Sequence, residues 1–188
     1  MKFFAAASLV SGLFATAASA IDLHLEIAGG CSSSGGGWIC YNINPNTCCS
    51  VNSGVYLGSG SFRAIPVGWN IQCRGHAGPN CGPIREQQDS GGRNYVCLGN
   101  GPFGGLGYGF NNRKMIRGET LDARDVEKTE ECAQPDVLYL ADGTQYNYTA
   151  IAEAGQANEE IVSLIGAGAS ADDIPSYKEF KLDERLVL

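Results

Sequence analysis

Two histidines are all this chain offers for proton transfer near neutral pH. His24 stands between Asp22 and Glu26. In an extended strand, His24 and Glu26 project from the same face. A histidine and a carboxylate held that way can share acid–base work, one accepting a proton while the other donates. His76, with Arg74, Arg85 and Glu86 near it in sequence, is the second candidate. Both sets also fit ordinary surface polarity, so the sequence assigns no catalytic residue outright; His24, Glu26 and His76 are the candidates. No G-x-S-x-G elbow, H-E-x-x-H pair or P-loop lysine pattern is present. Trp38 and Trp69 have flat rings that stack on sugars, but each adjoins apolar residues and a nearby cysteine, which suits core packing.

The other reactive residues are eight cysteines: Cys31, Cys40, Cys48, Cys49, Cys73, Cys81, Cys97 and Cys132. An even number in an oxidising compartment predicts four disulfides. There is no C-x-x-C pair, and the spacing does not suit zinc. Cys48 and Cys49 are adjacent, with Cα atoms about 3.8 Å apart across a trans peptide. A disulfide needs about 4.4–6.8 Å. They must therefore bond two different partners, and the sequence leaves the pairing open beyond that.

The compartment is read from the first twenty residues. Lys2 gives a short positive start, Phe3 to Val10 and Leu13 to Ala15 an apolar stretch, and Ala18-Ser19-Ala20 an A-x-A cleavage site. Residues 1–20 are predicted to be a signal peptide, with the mature chain starting at Ile21. The stretch is shorter than the roughly 20 apolar residues that a bilayer requires. No later segment is apolar enough to span, so an extracellular, monomeric product is expected.

Charge divides the chain. Residues 21–118 carry seven Arg/Lys and four Asp/Glu, a net of +3. Residues 119–188 carry five and sixteen, a net of −11. Glycine follows the same division, with 21 before residue 119 and four after it in the mature chain. The acidic balance excludes general nucleic-acid or anionic-membrane binding. The expected organisation is a cysteine-rich β domain at 21–132 and an acidic extension at 133–188, built of a hairpin and short helices.

The elements that must position these residues are short. Ile21, Leu23, Leu25 and Ile27 alternate with Asp22, His24 and Glu26, which predicts a half-buried strand. Further strands are expected at Trp38–Ile43, Gly54–Leu57, Ser61–Ile65, Trp69–Cys73, Asn94–Leu98 and Gly107–Phe110, each bounded by Gly, Pro or Asn. Residues 119–132 read as a solvated helix or arm. Asp136 to Thr149 reads as a hairpin turning at Asp142-Gly143. Asn158 is placed to cap a helix whose apolar face is Ile161, Leu164 and Ile165, ending at Gly166. The fold class is mainly β, a disulfide-stapled Greek-key sandwich or barrel with a C-terminal hairpin and short helices. No internal repeat stands out.

Phe62-Arg63-Ala64-Ile65-Pro66, Arg74-Gly75-His76, and Val96-Cys97-Leu98-Gly99 through Phe103-Gly104-Gly105-Leu106-Gly107-Tyr108-Gly109-Phe110 resemble small cysteine-rich secreted proteins of filamentous fungi. More loosely, they resemble the βγ-crystallin-type Greek key, which recurs in microbial killer proteins. The resemblance spans roughly residues 48–112. A calcium motif of that family has hydroxyl residues where this chain has Met115 and Ile116, and Arg113 and Lys114 repel a cation. No metal and no cofactor are therefore expected.

The fungal resemblance implies a secreted, non-enzymatic, effector-like virulence protein acting on a host or extracellular protein or glycan. One alternative is an antimicrobial or killer-type toxin released by removal of the acidic region. Another is a small hydrolase such as a ribonuclease, which would use His, Glu and Arg. Asn147-Tyr148-Thr149 is the only N-x-S/T sequon and marks Asn147 for a glycan.

Overall fold

The computed structural model describes residues 20–51, 55–110, 131–157 and 159–183. The signal-peptide expectation, the 119–130 arm, the Asn158 cap and the half calcium motif at Asn111-Asn112 fall outside them. The fold is mainly β. Eight strands alternate between two sheets: β1 (Ile21–Glu26), β2 (Gly37–Ile43), β3 (Thr47–Cys49), β4 (Ser59–Arg63), β5 (Ile71–His76), β6 (Ile84–Asp89), β7 (Val96–Leu98) and β8 (Gly105–Phe110). Three more follow: β9 (Glu131–Ala133), β10 (Val137–Tyr139) and β11 (Gln145–Asn147). Helices α1 (Tyr148–Glu153) and α2 (Glu159–Gly166) and two short 3-10 turns close the chain.

The first sheet runs β11-β10-β2-β1-β4-β7 and the second β6-β5-β8-β3-β9. A repeat lies in that order. β2-β1-β4 form one half of the first sheet, and their missing third strand, β3, sits in the second. β6-β5-β8 form the same half of the second sheet, and their third strand, β7, sits in the first. Two Greek-key units thus exchange a strand. Leu57 and Phe103 meet between them in a symmetric pair of hydrogen bonds, 2.8 and 2.9 Å.

The disulfides obey the same relation. Cys31, after β1, bonds Cys97 on β7; Cys81, after β5, bonds Cys48 on β3. Ile21 to Cys31 and Ile71 to Cys81 are equally long, and Cys31 and Cys81 both have left-handed backbone, with φ of 55° and 60°. Gly30 and Asn80 before them do too. Each bridge therefore ties the unit's first turn to the strand it receives.

Cys49 bonds Cys40 and joins the two sheets through the interior. Adjacent Cys48 and Cys49 thus serve two partners, because neighbouring residues of a strand face opposite ways. The sequence predicts four bridges and the structure forms three. Cys73 and Cys132 stand outside them. Cys73 on β5 faces the interior, while Cys132 on β9 is exposed with its Sγ 3.8 Å from the Asn80 carbonyl. Two strands, β8 and β3, lie between theirs. Three inter-strand steps make about 14 Å, beyond the reach of a disulfide.

The core fills the space between the sheets with Leu23, Leu25, Trp38, Phe62 and Leu98 on one side and Ile71, Leu106 and Tyr108 on the other. Close sheet contact needs glycine at two places. A side chain at Gly60 would collide with Leu106, and one at Gly75 would meet the Phe103 ring at 2.5 Å. The same cluster continues into Tyr148, Ile151, Ile161, Ile165, Ile174 and Tyr177. The extension is therefore built onto the core, with β10 pairing to β2 and β9 to β3.

Three expectations differ in detail. The strand expected at Gly54–Leu57 is, among the described residues, a single bridge from Leu57 to Phe103. β6, Ile-Arg-Glu-Gln-Gln-Asp, was not foreseen, because an exposed edge strand shows no apolar alternation. The hairpin ends at Asn147, whose Oδ1 accepts from the Ala150 amide at 3.0 Å and starts α1. Trp38 is fully buried, and Trp69 packs edge-on against Phe110 at 4.8 Å, so both tryptophans go to packing. No helix among the described residues is long and apolar enough to cross a membrane.

Candidate functional site

The two histidines sit on different sheets. His24 lies on β1 of the first, His76 on β5 of the second. On each strand the apolar neighbours point inward, so the histidines occupy opposite outer faces. His76 is buried, and its Nδ1 lies 2.8 Å from the Gly82 carbonyl. Arg85 and Glu86 turn instead to the loop at Asn100. Of the expected group, Arg74 shares the outer face of β5 with His76, while Arg85 and Glu86 bond elsewhere.

Around His24 a group does gather. Glu26 shares its face of β1, and Ser61 on β4 pairs across from His24. Ser61 Oγ donates to Glu26 Oε1 at 2.6 Å and accepts from Arg63 Nε at 3.1 Å. Arg63 Nη2 reaches the same carboxylate oxygen at 3.4 Å. Tyr139 enters from β10, two strands away on the other side. Its route is opened by Gly37, the residue of β2 between Glu26 and Tyr139. A side chain at Gly37 would strike the Leu25 carbonyl and sit 2.9 Å from Tyr139 Oη.

These residues border a cleft of about 200 Å³, lined by His24, Ser33, Ile39, Arg63, Tyr139, Gly143 and Gln145. The His24 and Tyr139 rings lie 6.4 Å apart, tilted by 55°. Glu26 is fully buried beneath, with no exposed surface, while Arg63 is 40% exposed at the rim. Of the seven buried side-chain atoms without a hydrogen-bond partner among the described residues, three belong to this group: Tyr139 Oη, Gln145 Oε1 and Glu26 Oε2. Such atoms are rare in folded proteins, and each calls for an explanation.

Burial sets the charges. It lowers the His24 pKa to about 4, with Arg63 adding to the effect, so the imidazole is neutral in ordinary conditions. Burial raises the Glu26 carboxyl above its usual range, against the opposing pull of Ser61 and Arg63. Burial and the Glu26 charge both push the Tyr139 phenol up, so it remains a hydrogen-bond donor. The cleft therefore offers a neutral imidazole, a phenol, an amide oxygen and one guanidinium already paired with a carboxylate. Among the described residues no cluster of His, Cys, Asp or Glu could hold a metal ion.

His24 and Glu26 were legible candidates. Arg63 appeared only within a resemblance motif, and Tyr139 and Gln145 were missed as site residues. They flank the Asp142-Gly143 turn, and only the pairing of β10 with β2 brings them to His24.

No curated protein and no solved structure matches this chain. One family model, ARB_05566_N, described as an N-terminal domain, matches residues 21–136. The match takes in both Greek-key units and His24, Glu26 and Arg63; Tyr139 and Gln145 come from the segment that follows. With more than half of its length matched, the chain belongs to the ARB_05566_N family of N-terminal domains.

Proposed function

We propose that this is a secreted, non-enzymatic recognition protein, effector-like in the manner of fungal cysteine-rich proteins, whose binding site is the cleft between His24 and Tyr139. One observation carries the reading. The cleft is lined by a neutral imidazole, a phenol and a guanidinium already paired, while the Glu26 carboxylate is sealed beneath it. The carboxylate that would act as a base has no exposed surface from which to reach a substrate. The stapled frame suits an oxidising, protease-rich exterior, and the exchanged-strand topology supports the βγ-crystallin-type Greek-key resemblance. Asn147 is exposed, with its Oδ1 used in the helix cap, which supports a glycan on Nδ2.

The toxin alternative draws less support. It requires loss of the acidic region, yet β10 covers β2 and Tyr148 packs on Trp38 at 6.3 Å. The ribonuclease alternative finds its His, Glu and Arg together at His24, Glu26 and Arg63, but Glu26 is fully buried and bonded to Ser61 and Arg63, which leaves it no reach to a substrate.

The mature protein, disulfides intact, should alter defence responses when infiltrated into host tissue, and should leave RNA uncut. Inert behaviour across several hosts would end the recognition reading. RNA cleavage abolished by His24→Ala would replace it with the hydrolase.

A further inference from the structure

We infer that Cys132 makes the Cys48–Cys81 bridge exchangeable: its thiol takes Cys48 over, closing a Cys48–Cys132 bridge and releasing Cys81 as the thiol. The second Greek-key unit thereby carries a thiol–disulfide exchange site that the first lacks.

Strand order sets the line of attack. The second sheet runs β5-β8-β3-β9, so β3 lies between the turn after β5, which holds Cys81, and β9, which holds Cys132. Cys48 on β3 pairs in parallel register with Cys132 on β9. Residues in register on neighbouring strands share a face, about 4.8 Å apart, inside the Cα range of about 4.4–6.8 Å that a disulfide needs. The present bridge reaches Cys48 from the other side, over β8: a side chain at Gly105 would sit 2.8 Å from Cys81 Sγ and 3.0 Å from Cys48 Sγ. A thiolate attacks a disulfide sulfur from the side away from the sulfur that leaves, and β9 is on that side. Cys132 Sγ is also 3.8 Å from the carbonyl of Asn80, the residue before Cys81, so the three cysteines share one neighbourhood.

Exposure and backbone choose the leaving group. Cys48 is fully buried, Cys81 half-buried and Cys132 exposed and outside the three bridges. As the neighbour of Cys48 across the sheet, Cys132 needs no path to it through solvent. The departing charge falls on Cys81, which water can reach. Asn80 and Cys81 also hold left-handed backbone in succession, with φ of 54° and 60°, where the first unit has Gly30 before its cysteine. Side chains rarely adopt that backbone, and release of Cys81 lets the turn relax. The first unit has no such device among the described residues. Its bridge ends at Cys97 on β7, the last strand of its sheet, with no strand beyond to bring a third cysteine.

The step is redox-neutral. The Cys132 thiolate attacks Cys48 Sγ, the Cys48–Cys132 bond forms as the Cys48–Cys81 bond breaks, and the electron pair leaves on Cys81, which takes up a proton in place of the one Cys132 lost. One bridge and one thiol become one bridge and one thiol, with no oxidant or reductant. The staple moves from the turn after β5 to β9, and the β5–β6 hairpin is untied from β3 while the chain keeps three bridges.

The mature chain, purified with its bridges intact, is held at about pH 8.5 without oxidant or reductant and then quenched with acid, which stops exchange by removing thiolate. Thiols are labelled with a maleimide in acidic urea, and peptide mass spectrometry identifies the labelled cysteines. Two labels per chain are expected throughout, one of them on Cys73, because exchange conserves thiols. The second should be found wholly or partly on Cys81, with Cys31–Cys97 and Cys40–Cys49 unchanged. In Cys132→Ser, a change at an exposed position, Cys81 should take no label. A second label that stays on Cys132 overturns the exchange. Label on Cys48, with a Cys81–Cys132 bridge, overturns the attack on Cys48. Cys81 labelling that survives in Cys132→Ser has another source and also overturns it. None of these outcomes bears on the cleft, whose tissue assay stands apart.

Discussion

Removing the outer of the two reciprocal disulfides should cost slightly more stability than removing the inner, because the loops they close differ twofold. Cys31 and Cys97 are separated by 66 positions, Cys48 and Cys81 by 33. Counted alone, the longer loop should contribute about 0.6 kcal/mol more, since loop-closure entropy grows with the logarithm of length. The bridges are nested, however. With Cys48–Cys81 intact, the unfolded chain can pass from Cys31 to Cys97 through that bridge. It takes 17 positions to Cys48 and 16 from Cys81, so the effective loop is about 33. With Cys31–Cys97 intact, the inner bridge in turn closes across a ring whose two arms are both 33, an effective loop of about 16. Loop entropy then assigns about 3.7 kcal/mol at 25 °C to the outer bridge and about 3.1 kcal/mol to the inner, so nesting keeps the difference of about 0.6 kcal/mol. For a chain of this size either loss is a drop in Tm of about 10 °C. The two-fold pattern makes the comparison fair, since the bridges occupy equivalent places and their Cα separations are 6.0 and 6.1 Å. The test is urea unfolding of Cys31→Ala/Cys97→Ala against Cys48→Ala/Cys81→Ala, with m fitted for each. Both variants should lose about 3–4 kcal/mol, the Cys31→Ala/Cys97→Ala variant about 0.6 kcal/mol the more. A gap above about 1 kcal/mol, or a cost below about 1 kcal/mol for both, would refute constraint of the unfolded chain as the source of their effect.

Three more outcomes are expected. Acid should destabilise the fold through His24. Its folded pKa of about 4 lies below the unfolded 6.5, so the unfolded chain takes the proton first and stability is lost as pH falls through that window. The raised Glu26 carboxyl acts in the opposite sense, protonating in the folded state first, and Arg63 adds to the His24 effect. His24→Gln should therefore flatten the fall in Tm between about pH 7 and pH 4; an unchanged slope counts against a buried, neutral His24. The Cys73 thiol, pushed up to about 12 chiefly by burial, should resist alkylation in the native protein and react at once in urea, as mass spectrometry of alkylated peptides will show. Native labelling as fast as in urea would contradict its place in the core. Gly104→Ala should cost more than about 2 kcal/mol, because its Cβ would overlap the Gly78 carbonyl, a backbone atom held beside the Gly104–His76 hydrogen bond of 2.7 Å. Calorimetry will measure it, and a change under about 0.5 kcal/mol would mean that the loop yields.

How much of this was legible follows from what each residue's neighbours are. β1 was readable because one of its faces meets the core and the other does not, giving Ile21, Leu23 and Leu25 against Asp22 and His24. Glu26 was placed on the right face, but its burial was hidden, since it depends on Tyr139, over a hundred residues away. β6 was silent for a different reason, since its half-buried face carries Glu86 and Gln88 and so shows no apolar alternation. The repeat left one trace, the equal spacing of Ile21–Cys31 and Ile71–Cys81, with Cys48 and Cys97 completing the pattern. Glycines erased the rest. Gly75 and Gly109 stand where the first unit has Leu25 and Arg63, so the units share a backbone while their side chains differ.

That difference locates the site. In the first unit, β1 and β4 carry His24, Glu26, Ser61 and Arg63 on the outer face. In the second, the corresponding strands β5 and β8 carry Arg74, His76, Gly107 and Gly109. One half of the sandwich has glycine where the other has a serine and an arginine, so only one half can form the linked carboxylate–hydroxyl–guanidinium group. The edges differ as well. β2 is covered by β10, which supplies Tyr139, whereas its counterpart β6 remains an open edge. A symmetric, disulfide-locked frame is thus made asymmetric twice, by side chains within the family domain and by a hairpin added after it. Both departures fall on the same face and meet at one cleft, and stability alone requires neither the unpaired hydroxyl of Tyr139 nor the unpaired oxygen of Gln145.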